Sequence, residues 1–361
     1  VAQSAKLLVG SIEAYSGKST TILGIIHHLT KQGIETAYAK PIGTSSDDCL
    51  IKANEQSMSF LTNNLKLSPK QIHLPLLTLN DQVIINRLTE EDTDNYPQQL
   101  QDYIAKIQSP FVVIEGPKTL WEGSLFELSV GEMASTVNAA IVLVTRYNSL
   151  SLVANLINAK QSLQDRLLGV VINDIPASEI SQVEQFVKPY LEKRNIPVFG
   201  AIPQDRLLNS ISVRELSQRL NAKVLCRGDR LNLMVEGLTI GAMNVNSALE
   251  YFRQRTNMVV VTGSDRTDLQ MAALETSTNC LILTGHAAPQ SFILSRAEDL
   301  EIPVLAVDFD TLTTVEIVDQ AFGRVPINEA IKVKQVIHLM EQYFDFGRLM
   351  DCLGLEVPLS V

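Results

Sequence analysis

Gly10-Ser11-Ile12-Glu13-Ala14-Tyr15-Ser16-Gly17-Lys18-Ser19-Thr20 decides how the first half of this chain reads. An apolar run, Leu7-Leu8-Val9, leads into it, and Ile22, Leu23, Ile25, Ile26 and Leu29 follow at helical spacing. Strand, small-residue turn, Gly-Lys-Ser and helix is the order of a phosphate-binding loop. In such a loop successive backbone N–H groups and a helix N-terminus wrap an oxyanion. Lys18 supplies a point charge and Ser19 a hydroxyl for magnesium, so Ser16, Gly17, Lys18, Ser19 and Thr20 are the expected nucleotide contacts. The spacing departs from the usual pattern once. Ile12 stands five places before Gly17, where a glycine is expected, and the nearest upstream glycine is Gly10.

The totals restrict the function classes. At 361 residues the chain is long enough for two or three domains with cores of their own. Hydrophobic residues at 45% and charged residues at 19% fit a folded globular protein rather than a disordered one. A formal charge of −10, with no cluster of Lys and Arg, argues against nucleic acid as a partner. Cys49, Cys226, Cys280 and Cys352 stand far apart, so neither a zinc ligand set nor a redox motif is visible, and free thiols in a reducing compartment are expected. The N-terminus lacks the features of a secretory signal and no apolar run reaches membrane-spanning length, so a cytoplasmic location without a membrane partner is the expectation.

Beyond the loop the chain alternates. Gly33 stops the first helix, and Ile34 to Gly43 reads as a short strand ending at Lys40-Pro41. A lysine at the carboxyl end of a parallel strand beside a nucleotide loop borders the ligand crevice. Residues 47–66 read as a polar turn and a helix with Met58, Phe60, Leu61 and Leu65 on its apolar side, whereas Glu90-Glu91-Asp92 reads as a solvated face. Phe111-Val112-Val113-Ile114-Glu115-Gly116 has the continuous apolar run of a strand covered on both faces, with Glu115 where a magnesium-directed carboxylate belongs. Strands at Ala139 to Thr145, Leu168 to Asp174 and Ile196 to Pro203 alternate with helices over 149–166 and 178–194. Five such alternations predict an α/β fold, a doubly wound and mostly parallel sheet over residues 1–205.

Lys40-Pro41 after a glycine-poor phosphate loop, Asn173 at a strand end and Ile202-Pro203 at the next together resemble the dethiobiotin synthetase family over roughly residues 4 to 205. The resemblance implies ATP or a related nucleotide with magnesium held by Ser19 and Glu115. It implies that Lys18 and Lys40 steady a transferred phosphoryl group, that Asn173 reads the adenine edge, that Pro203 contacts the nucleotide, and that a small polar residue, Thr44 or Ser45, follows Lys40. Asp47, Asp48 and Glu55 are further carboxylate candidates for the cation. The chain departs from the family at Pro117-Lys118-Thr119-Leu120-Trp121-Glu122-Gly123, where dethiobiotin synthetases carry a glycine-rich turn beside the substrate.

After residue 205 the pattern changes. Leu207 to Leu220 reads as a helix with the capping pair Ser212 and Glu215. Val224-Leu225 reads as a short strand, and three strand-helix units follow, opening at Met258, Cys280 and Val304. Each strand ends in small or polar residues before a helix, a suitable place for an anion. Gly263-Ser264-Asp265-Arg266-Thr267-Asp268 resembles the DRTGG domain, which in long phosphate acetyltransferases sits between a dethiobiotin-synthetase-like domain and the catalytic domain. Gly263, Asp265, Arg266 and Thr267 are second-site candidates; Asp265 capping the next helix with Arg266 paired to it is the structural alternative. His286, after a strand-end glycine, is a further possible ligand contact. A second, smaller α/β domain is expected over 206–327, and an amphipathic helix and tail over 328–361, with no residues left for an acetyltransferase catalytic domain. The expected function is that of a nucleotide-binding regulatory or sensor protein, similar to the amino-terminal part of a long phosphate acetyltransferase. The alternatives are an ATP-dependent carboxylate-activating ligase and a scaffold with a degenerate loop. A homo-oligomer joined through the second domain, and a protein partner for a sensor, are expected with it.

Overall fold

The computed structural model describes residues 5–44, 67–241, 249, 252, 256–285, 288–323 and 329–355. The helix expected over 47–66, with Asp47, Asp48, Cys49 and Glu55, lies outside them, as do Ser45 and His286. The chain divides into two units, Val1–Gln204 with Asn328–Val361, and Asp205–Ile327.

In the first unit the strands are β1 (Ala5–Ser11), β2 (Thr36–Ala39), β3 (Ile42–Thr44), β4 (Ile72–His73), β5 (Leu77–Leu79), β6 (Phe111–Glu115), β7 (Ala140–Arg146), β8 (Leu167–Ile175) and β9 (Val198–Pro203). Seven of them form one sheet in the order β4-β2-β6-β1-β7-β8-β9, parallel at every pairing. β3 and β5 pair separately. All five residues of β6 are buried, as a strand between two helical layers requires. Leu8, Ile114, Ile141 and Leu143 share one core with Met133, Leu156 and Leu163. From β1 the chain moves to one side of the sheet, and from β6 it crosses to β7 on the other. That reversal leaves a crevice at the carboxyl ends of β1 and its neighbours.

The segment after the second unit returns to the first. Helix Ala330–Tyr343 lies against helix Lys18–Lys31, where a Cβ on Gly24 would stand 2.5 Å from Met340 Cγ. His28 stacks on Phe346 at 3.9 Å, and Phe344 bridges to Gly200 of β9. Arg348 grips the Glu192 carboxylate through two bonds of 2.7 and 2.8 Å. Val333, Val336, Leu339 and Met340 are buried on this helix, whereas Ile331 is exposed.

The second unit holds β10 (Ile211–Ser212), β11 (Lys223–Cys226), β12 (Met234–Val235), β13 (Gly237–Gly241), β14 (Met258–Gly263), β15 (Thr278–Thr284) and β16 (Val304–Val307). Its main sheet runs β11-β16-β15-β14-β13, parallel except for β11 at the edge. The helix expected from Leu207 to Leu220 is broken. Arg206–Asn209 forms one turn, and β10 pairs with β12 before helix Val213–Arg219 begins under the Ser212 cap. No helix among the described residues is long and apolar enough to cross a membrane.

Candidate functional site

The loop between β1 and helix Lys18–Lys31 is held from several sides. Gly17 has φ 94°, and a Cβ there would lie 2.0 Å from Asn173 Nδ2, so both conformation and space call for glycine. Asn173, near the end of β8, donates from Nδ2 to Ser16 O at 2.9 Å. Thr20 and Thr21 donate to Gly17 O at 2.5 and 3.1 Å. Gly10 admits Val130, whose Cγ1 would stand 2.8 Å from an added Cβ. Glu13 was not legible as a functional residue in the sequence. Its carboxylate accepts from Arg146 N at 2.5 Å and Thr145 Oγ1 at 3.1 Å, tying the loop to the end of β7, and burial pushes its pKa up.

Below the loop a charged cluster gathers around the end of β6. Lys18 Nζ donates to Gly116 O at 2.6 Å and Pro117 O at 2.5 Å. Burial lowers its pKa to about 8, against the opposing attraction of Glu115. Ser19 Oγ donates to Glu115 Oε1 at 3.3 Å, Lys40 Nζ lies 3.5 Å from the same oxygen, and the buried Tyr38 hydroxyl donates to Oε2 at 2.5 Å. Burial pushes the Glu115 pKa up, but the ammonium groups of Lys40 and Lys18 and the Tyr38 bond outweigh it, and the net direction is down. Glu115 is therefore ionised at neutral pH.

Ser16 Oγ is buried and has no hydrogen-bond partner, an orphan a phosphate oxygen would satisfy. Ser19 Oγ and Glu115 Oε1 are hard oxygen donors suited to magnesium. Groups of three or more His, Cys, Asp or Glu that could hold a metal are absent among the described residues, and Ser19 and Glu115 would hold the cation together with phosphate oxygens.

The structure brings together Ser16, Gly17, Lys18, Ser19, Lys40, Glu115 and Asn173. Thr20 lies in the first helical turn, and Pro203 closes β9 opposite Ile175. The departing stretch 117–123 borders a cleft of about 330 Å³ lined in part by Asn80, Asp81, Lys118, Glu122 and Phe126. In the second unit Gly263 ends β14, and Asp265, Arg266 and Thr267 lead into helix Thr267–Leu274. The Asp265 cap of the structural alternative is not formed: Arg266 occupies the N-cap position without a side-chain cap, and its Nε lies 3.4 Å from Asp268 Oδ1.

Residues 5–212 match the family described as AAA domain, well over half of the chain. The chain belongs to the AAA domain family. Behind this AAA domain, residues 215–321 match the DRTGG domain. A phosphate acetyltransferase of Synechocystis sp. is 24% identical, over 97% of this chain and 52% of its own length. That of Escherichia coli is also 24% identical, over 91% and 50%. The chain thus spans about half the length of the curated relatives it matches. The solved CBS and DRTGG domains of a Clostridium perfringens pyrophosphatase, bound to diadenosine tetraphosphate, are 17% identical. They cover 54% of this chain and 83% of their own at a TM-score of 0.30.

Proposed function

We propose that this AAA domain binds ATP or a related nucleotide with magnesium, and that the chain acts as a nucleotide-responsive regulatory module related to the amino-terminal half of phosphate acetyltransferases. The observation that carries the reading is the Gly17 turn opening a helix directly above the Lys18, Ser19 and Glu115 cluster. Helix N-terminus, ammonium and hydroxyl-carboxylate pair are the three groups a polyphosphate with its cation requires. In this reading Ser16, Gly17, Lys18, Ser19 and Thr20 contact the phosphates, Lys40 sits beside them, Asn173 and Pro203 border the base, and Ser19 and Glu115 hold magnesium. Residues 206–327, with Gly263, Asp265, Arg266 and Thr267 as its candidate second site, relay occupancy to a protein partner or a second copy of the chain in the cytoplasm.

Isothermal titration with ATP and magnesium tests it. The wild type should bind, and Lys18→Ala should bind at least about tenfold more weakly, since a charged hydrogen bond is worth roughly 1.5–3 kcal/mol. A wild type that takes up no heat overturns the reading. Lys18 and Lys40, whose ammonium charges both act on the Glu115 carboxylate, favour a second reading, an ATP-dependent ligase that activates a carboxylate. Stoichiometric phosphate release with diamines plus bicarbonate, or with carboxylates, would establish it and sink the pure sensor.

A further inference from the structure

Tyr38 and Lys40 lie two residues apart, and strand alternation sets them on one face at the end of β2. In the β2–β6 register Tyr38 pairs with Val113 and Ala39 with Ile114; one further step sets Lys40 beside Glu115. The Glu115 carboxylate is thus flanked by Lys40 across the ladder and by Tyr38 one diagonal back. The two flanking groups differ in kind. Tyr38 is buried and neutral, and its hydroxyl engages Oε2 at 2.5 Å. Breaking that bond would strand a buried donor and a buried carboxylate oxygen. Lys40 is about 39% exposed along its side chain and stands 3.5 Å from Oε1, the oxygen that also receives Ser19. An ammonium held that loosely at the rim leaves readily for water.

We propose that Tyr38 is a positioning residue that fixes the Glu115 carboxylate, and that the Lys40 ammonium holds the place of a divalent cation at Oε1 until the cation arrives. The inference rests on the nucleotide reading for the source of the remaining ligands. Its signature is a pair of effects with opposite sign. Losing the Tyr38 hydroxyl frees the carboxylate to turn and weakens the cation. Losing the Lys40 charge removes a competitor and tightens it.

The test uses the full chain with Mn²⁺ as probe, its free concentration followed by electron paramagnetic resonance, with ADP and without. Tyr38→Phe should raise the half-saturating Mn²⁺ concentration roughly tenfold, as loss of a partner behind a metal ligand does. Lys40→Met should lower it by up to about fivefold, the range of a part-exposed ion pair. Thermal melts establish that each variant is folded, and should Tyr38→Phe not fold, the Lys40→Met shift alone decides. Opposite shifts support the proposal. Shifts of the same sign, no shift, or a wild type that binds no Mn²⁺ in either condition overturn it. Opposite shifts without ADP, in a protein that titration shows to bind no nucleotide, would support the roles of Tyr38 and Lys40 and overturn only the nucleotide reading.

Discussion

Lys18 sits where burial lowers its pKa to about 8, and this sets the pH response of the crevice. Between about 8 and the ordinary lysine value near 10.5 the folded chain binds fewer protons than the unfolded one, so the group's contribution to stability rises with pH across that window. Affinity for an anion runs the other way. ATP affinity should fall by up to about tenfold per unit above pH 8; titration calorimetry at pH 7, 8 and 9 checks it, and a flat profile would mean that Lys18 is not the charge the phosphate meets. Lys18 and Ser19 were legible in the sequence because a phosphate loop is a local arrangement. Tyr38 and Glu13 were not, because their partners lie 77 and 132 residues away and no short motif announces them.

Among elements, the helix that follows Gly17 has two working surfaces. Its first turn faces the crevice, and Gly24 on its flank admits Met340 of the returning helix. Gly24→Val should cost roughly 1–3 kcal/mol through overpacking. Met340→Ala alone should also destabilise, by about 2–5 kcal/mol. The double variant should lose clearly less than the sum, because the cavity left by one accepts the methyl groups of the other; urea unfolding of all four proteins measures that coupling. The long strands were legible from their β-branched runs. The break between Arg206–Asn209 and Val213–Arg219 was not, because it is imposed by pairing of β10 with β12, a tertiary contact that overrides helical spacing.

For the whole molecule, the first unit is discontinuous in sequence. Residues 1–204 without the returning helices Ala330–Tyr343 and Phe346–Leu353 would uncover Gly24, His28 and Phe199 and leave Glu192 without Arg348. A chain cut after Gln204 should therefore melt well below the intact protein, or fail to fold. A chain in which a long Gly/Ser linker replaces 205–327 should regain a cooperative transition in differential scanning calorimetry, and recovery of nearly full stability by the truncated form would contradict the contacts described. In the sequence residues 328–361 read as an amphipathic helix and a tail packed on the body or on a partner; apolar spacing shows that a helix has a buried face but not which surface covers it. A mass measurement in solution tests the expected homo-oligomer, and a monomer would remove it.

The discontinuity also sets an order of birth. A ribosome extends the chain at about 5–20 residues per second, so the stretch from β9 to Tyr343 takes on the order of ten seconds to emerge. During that interval the later-encoded unit can finish folding while the first unit waits, its helix flank bare around Gly24. The phosphate loop is synthesised before residues 205–327, yet the domain that carries it is completed after them.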